Sequence, residues 1–415
     1  MTWLFFHATS YGTPYFGHAD SGCPSPRPGV RFGPRGGGKA EKSGYFWKGQ
    51  DGDEHAGLRL DGSNPRGIPG PLAGDRRQPG RAGAVGVLNL EFVEDAQPAL
   101  AALARLAALG RGRRGVLLDG GAEHLLQAIL AEPPAGLDVI VLTAAANDRL
   151  KHLVGLVHES GLRAFLVATG LEEAVAGQDA KVDAIIAKGN ESGGWVGEET
   201  TFVLLQRLIP RLIIPVWAQG GVGPCTAAAC QVAGAAGAIL DSQLLLTKES
   251  PLPERTRARL RVMDGSETIC LGSSFGAGFQ SYSRPDLPPA TELRRLEATA
   301  LLADQPAEAV RHAWRAAIRP RVDWRAPETS ILALGQDAAF AAGLAQRFGT
   351  VGGVLSGLAE AMHETFSVGT ESGPLAEGSP LARSHGTRFP IVQGPMTRVS
   401  DRAEFAAADA EAGAL

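Results

Sequence analysis

Two consecutive strand–glycine–helix units constrain this chain more than any other feature. The first runs from Ala184 to Gly197. A short apolar run ends at Lys188, and Gly189, Gly193, Gly194 and Gly197 then fall within nine residues. Glu198-Glu199-Thr200-Thr201 leads on into an apolar helical period. The second unit follows at once, with Ile213 to Ala218 as strand, Gln219-Gly-Gly-Val-Gly-Pro224 as turn and Cys225 to Ala233 as helix. A short run apolar on both faces, closed by glycines and a helix start, is the repeating piece of a parallel sheet. The free amides at such a helix start can face an anion. The tandem therefore predicts a phosphate-bearing ligand at the carboxyl ends of parallel strands.

The same rhythm extends towards the N-terminus. Val85 to Phe92, Arg114 to Asp119, Leu137 to Leu142 and Arg163 to Ala168 read as strands, each followed by a helical pattern, and Ala236 to Leu240 reads as one more. Asp95 is placed to cap the first of these helices and Gly110 to stop it. Seven such units exceed a five- or six-stranded doubly wound sheet and fall one short of a (β/α)₈ barrel. The predicted fold class is α/β, a TIM-type barrel that is incomplete or permuted, with its core over 83–247.

The flanks differ. Residues 1–82 are dominated by Gly, Pro, Arg and Ser and carry no lasting period, which predicts a disordered leader. Its aromatics, Trp3, Phe5 and Phe6 among them, are able to dock locally. From 248 to 370 alanine, leucine and arginine periods predict a helical appendage, with Gly272 to Gly278 as a flexible loop. Residues 371–387 read as a linker. The segment 388–415 opens a new strand, tight loop and helix, with Asp401 as cap. It is expected to be the first unit of a second barrel, or a permuted first strand closing the one before it.

Bulk properties narrow the function classes. A net charge of −4 on 415 residues gives no electrostatic case for nucleic acid or membrane binding. No apolar run approaches the roughly 20 residues of a membrane span. Four scattered cysteines without a CxxC pair suit a reducing cytoplasm better than a disulfide scaffold or a metal site.

Four short stretches carry a family resemblance: Glu191-Ser-Gly-Gly-Trp195, the turn Gly220-Gly221, Asp241-Ser-Gln-Leu244, and Gln393-Gly-Pro-Met396. Together they resemble the flavin-dependent nitronate monooxygenase (2-nitropropane dioxygenase-like) family, which also includes flavin enoyl reductases of fatty-acid synthesis. The variant with Lys188-Gly-Asn-Glu is similar to domains attached to polyketide and polyunsaturated fatty-acid synthases. The resemblance covers about 84–247 and 388–415. It implies a (β/α)₈ barrel holding FMN, an acyl or nitro substrate, NAD(P)H as a reductant and other synthase domains as partners. The alternative is a non-catalytic barrel serving as a structural or docking part of a synthase.

The resemblance also implies roles. Gly220, Gly221, Asp241 and Ser242 fall at the flavin phosphate, while Glu191, Gly193 and Gly194 fall along the flavin-facing turn. Lys188 falls near the ring, where a cation stabilises a reduced, anionic flavin, and Gln393 and Met396 come from the family's first strand. Two positions depart from the pattern. Asp241 stands where the family has glycine, and a carboxylate repels a phosphate unless it points away. Trp195 stands where the family has its proton-transferring histidine, and an indole cannot exchange a proton near neutral pH.

Overall fold

The computed structural model describes residues 2–6, 84–109, 112–284, 288–302 and 305–414. In chain order the first elements are β1 (Thr2–Phe6), β2 (Ala84–Asn89), α1 (Ala96–Leu109), β3 (Arg114–Leu118), α2 (Glu123–Ala131), β4 (Leu137–Leu142) and α3 (Asn147–Glu159). They are followed by β5 (Arg163–Ala168), α4 (Leu171–Asp179), β6 (Ala184–Lys188), β7 (Gly194–Trp195), α5 (Thr201–Leu208), β8 (Val216–Gln219), α6 (Pro224–Val232) and β9 (Gly237–Leu240).

β2, β3, β4, β5, β6, β8 and β9 pair in parallel, in sequence order. These are the seven expected strands, apolar because helices cover one face and the barrel interior the other. Leu118, Ile140, Leu166 and Ile185 pack outward with Leu125, Leu153 and Leu204 of the helices in one continuous core. α5 starts on the Thr200 hydroxyl, which accepts from the Val203 amide at 3.4 Å, and α6 starts on Pro224, whose missing N–H costs nothing at that position.

The eighth place in the barrel is filled differently from either expectation. β1 lies between β2 and β9, antiparallel to both, with Leu4 opposite Gly86 on one side and Leu240 on the other. The sheet thereby closes. The terminal segment does not supply this strand: among the described residues 388–399 forms no strand, and the Arg388 and Phe389 amides donate instead to the Gly413 carbonyl. The leader is corrected in the same place, since Thr2–Phe6 is ordered in the sheet. Thr-Trp-Leu-Phe-Phe is a run of strand formers, and it meets the edges that β2 and β9 would otherwise leave unpaired. The rest of the expected leader, 7–83, lies outside the described residues.

The later elements are α7 (Glu254–Leu260), β10 (Thr268–Leu271), β11 (Phe279–Tyr282), α8 (Pro288–Leu301), α9 (Ala307–Ile318), α10 (Phe340–Phe348), α11 (Val351–Ser372), α12 (Pro380–His385) and α13 (Ala403–Ala412). The appendage is more than helical. β10 and β11 form an antiparallel hairpin, and β11 pairs with β7, placing Phe279 opposite Trp195. Only four residues long on each side, the hairpin is too short to show a period, and its turn needs left-handed glycines at Gly272 and Gly276. α11 packs against α6, and its Val354, Leu355, Leu358 and Met362 join the barrel core.

Candidate functional site

The carboxyl ends of the parallel strands converge on a cavity of about 240 Å³ lined by Asn89, Glu91, Lys188, Gly193, Gly194 and Asp241, among others. Lys188 is the last residue of β6, in register with Gln219 at the end of β8. It is only 3% exposed. Among the described residues no hydrogen bond or ion pair reaches its ammonium. Glu91, just past β2, is buried too. Burial pushes its carboxyl above the usual range and Lys188 pulls it back, with Asp119 raising it and Arg315 and Arg319 lowering it. One end of the cavity is thus a buried cation facing a buried acid, with glycine walls.

Trp195 leaves this chemistry for packing. It is 6% exposed, its ring meets Phe279 edge-on at 4.7 Å, and the Arg315 guanidinium sits 4.6 Å from its centroid. Leu271, Phe279, Trp314 and Ile331 complete the cluster around it. β7 therefore ends in a cross-strand aromatic pair of the kind that stabilises sheets.

The other end of the site is built from carboxyl groups. Glu191 turns back on α5, accepting from the Thr201 amide at 3.0 Å, with the Thr201 hydroxyl 3.1 Å away. The helix start expected to face a ligand's anion faces the chain's own side chain. Gly220 and Gly221 do make the expected left-handed turn, at φ +107° and +61°. Asp241 follows β9 and accepts from Gln219 Nε2 at 2.8 Å and the Ser242 amide at 2.6 Å. It lines the cavity, with both carboxylate oxygens hydrogen-bonded.

Asp337, from the appendage, is the residue that sequence reasoning missed. It is 1% exposed and takes a 3.3 Å hydrogen bond from Gln243 Nε2. Burial raises its carboxyl well above the carboxylate range, the nearby Asp241 raises it further, and the Ser242 hydroxyl and Gly221 amide that face it pull it down. Its backbone amide donates to the Glu191 carbonyl at 3.2 Å. The segment carrying it lies directly on the glycine turn: a Cβ at Gly193 would strike the Ala333 carbonyl, and one at Gly335 would strike the Glu191 carbonyl. No motif flags this residue. It lies 94 positions from Gln243, in a stretch that reads only as the start of a helix.

FMN fits one end of this site and not the other. Lys188 and Gly194 leave a cation and space for a ring. At the phosphate end Glu191, Asp241 and Asp337 bring three carboxyl groups to the donors a phosphate needs, and like charges this close in a buried setting are strongly unfavourable. The cavity is also below the roughly 300–1,000 Å³ that buries a drug-sized ligand. The residues present do not fit the complete cofactor. Gln393 and Met396 are not brought to the site at all. Met396 is 44% exposed, and Gln393 bonds only to the neighbouring Gly394 carbonyl. Among the described residues no group of three His, Cys, Asp or Glu is placed to hold a metal ion, and no helix is long and apolar enough to cross a membrane.

The fold and the gathered strand ends define the class as a TIM-type barrel with its polar groups at the carboxyl mouth. Residues 124–277 match the nitronate monooxygenase family model. Rv1533 of Mycobacterium tuberculosis, named as a monooxygenase, is 28% identical over 161 residues, 36% of this chain and 43% of that one. A second relative is the (3aS,4S,5R,7aS)-5-hydroxy-7a-methyl-1-oxo-octahydro-1H-indene-4-carboxyl-CoA dehydrogenase of Rhodococcus jostii. It is 38% identical over 76 residues, 18% of this chain and 22% of that one. The chain thus spans less than half the length of either curated relative. FabK from Thermotoga maritima superposes with a TM-score of 0.56 at 20% identity, over 68% of this chain and 86% of that one. Nitroalkane oxidase from Streptomyces ansochromogenes gives 0.52 at 21%, over 68% and 90%. These two likenesses establish the fold.

Proposed function

We propose that this barrel is a non-catalytic member of its oxidoreductase family, serving as a structural or docking part of a larger synthase. The observation that carries this reading is Trp195. At the position where the family resemblance places a proton-transferring histidine, the chain has an indole locked between Phe279 and Arg315. That side chain cannot exchange a proton near neutral pH, even though it lines a small cavity together with Glu91 and Lys188. The exposed Ile391, Val392 and Met396 support the docking part of this reading, because they give 388–399 an apolar surface that a partner would cover. A second reading is favoured by Lys188: a buried cation beside an open cavity suits an FMN-dependent oxidoreductase acting on an acyl or nitro compound with NAD(P)H. The test is spectroscopic. Purified full-length chain is expected to be colourless and to stay so after incubation with FMN and desalting. A yellow protein bleached by NADPH or NADH would establish the second reading and end the first.

A further inference from the structure

We infer that the phosphate cradle of this barrel is closed from within, the Asp337 side chain standing where a flavin phosphate would lie. This inference deepens the non-catalytic reading and rests on it. Four observations meet at one point. The Gly220-Gly221 turn has the left-handed backbone that presents amides to an anion. The Gly221 amide and Ser242 hydroxyl lie near enough to the Asp337 carboxyl to favour its charged form, while Ser242 Oγ and Asp337 Oδ1 stay buried without a hydrogen-bond partner among the described residues. Gln243 fixes that carboxyl with one amide hydrogen and the Val222 carbonyl with the other, at 3.3 and 3.2 Å. The covering segment is seated by backbone contact, Gly193 on Ala333 and Gly335 on Glu191, so nothing larger than glycine fits between the layers.

Charge accounts for the choice of side chain. Asp241 accepts two hydrogen bonds and Glu191 is held at the start of α5. A phosphate monoester would bring up to two further negative charges beside them. A single carboxyl brings less charge, takes its hydrogen bond from Gln243, and can retain its proton in the buried site. The appendage and the barrel mouth are therefore one polar unit, and the loss of phosphate binding follows from a residue more than a hundred positions past the glycine turn.

Equilibrium binding on the full chain tests this, with FMN, riboflavin and inorganic phosphate as probes. Three proteins are compared: wild type, D337A, and the double variant D241G/D337A, each checked for native circular dichroism. Riboflavin lacks the phosphate and so isolates the ring end. Wild type is expected to show no preference for FMN over riboflavin and no thermal shift with phosphate. D337A is expected to gain a phosphate-dependent upward shift and a preference for FMN of about tenfold, and D241G/D337A a larger one. Equal binding of FMN and riboflavin by wild type would support the closed cradle while overturning the flavin-free reading. A wild type that prefers FMN by tenfold or more would overturn the closed cradle. So would folded D337A and double variants that gain nothing from phosphate. If D337A does not fold, D337S, which vacates the same space while leaving an acceptor for Gln243, decides by the same readouts.

Discussion

The two ends of the cleft at the barrel mouth have gone in opposite directions. At the Lys188 end there is a buried cation, a protonatable acid in Glu91 and space bounded by glycines. At the Asp337 end there are three carboxyl groups and backbone laid against backbone. The first leaves room for a ligand where the second is filled by the chain itself. A ring pocket is held by strand geometry, which the whole barrel enforces. A phosphate cradle depends on a few donors that one incoming side chain can occupy.

The largest effect in breaking that contrast is expected at Trp195, which borders the Lys188 end and pairs with Phe279 of the appendage hairpin. Trp195→Ala removes the centre of a buried aromatic cluster and should cost about 3–5 kcal/mol in urea unfolding. Trp195→His restores the residue type of the family but should also destabilise, and it should confer no NAD(P)H-dependent activity. Next comes Glu191. Glu191→Ala leaves the Thr201 amide without its acceptor at the head of α5, while the Thr201 hydroxyl keeps the Gln219 carbonyl at 2.8 Å, for about 1–3 kcal/mol, whereas Glu191→Gln, which can still accept, should cost less.

The smallest effect sharpens the contrast through pH. Burial raises the carboxyls of both Asp337 and Glu91, so the native state holds their protons more tightly than the unfolded chain does. Their stabilising contribution is complete below the unfolded values, near 4. It is lost as pH rises through the raised native values. Asp337→Asn and Glu91→Gln should therefore flatten the stability profile. Each should be more stable than wild type at pH 7 by a margin that disappears in acid, measured as unfolding midpoints from pH 4 to 8. A margin that grew in acid would mean that these carboxyls are held ionised.

Much of the barrel was legible in the residues. All seven parallel strands fall where short apolar runs end in glycine or a helix cap, because burial on both faces leaves little freedom in composition. The closing strand was not legible. Thr2–Phe6 pairs with strands whose sequence positions are remote, and five aromatic-rich residues in a Gly/Pro leader carry no period. The appendage hairpin was missed for the same reason of length. In the site, Lys188, Asp241, Ser242 and the glycines were marked by their places at strand ends, and the structure gathers them. Gln393 and Met396 matched a motif but not a place in this fold. Glu191 was assigned to a ligand when it serves its own helix, since a sequence does not show which of two nearby anions a helix start will take. Asp337 had no local signal, as its meaning comes wholly from the surface it is folded onto.

The facing glycines, Gly193 and Gly335, have a consequence for how this protein can change over time. Each fits only because the other layer approaches to backbone distance, so a methyl group at either position lifts the cover as a whole. Neither site can drift alone: a substitution at one has to be answered by a shift in the other, or the cover comes away. The pair works as a latch in mutational space. Releasing it takes one small, uncharged substitution that leaves every carboxylate in place, and reopening this mouth is within a single step of the present sequence.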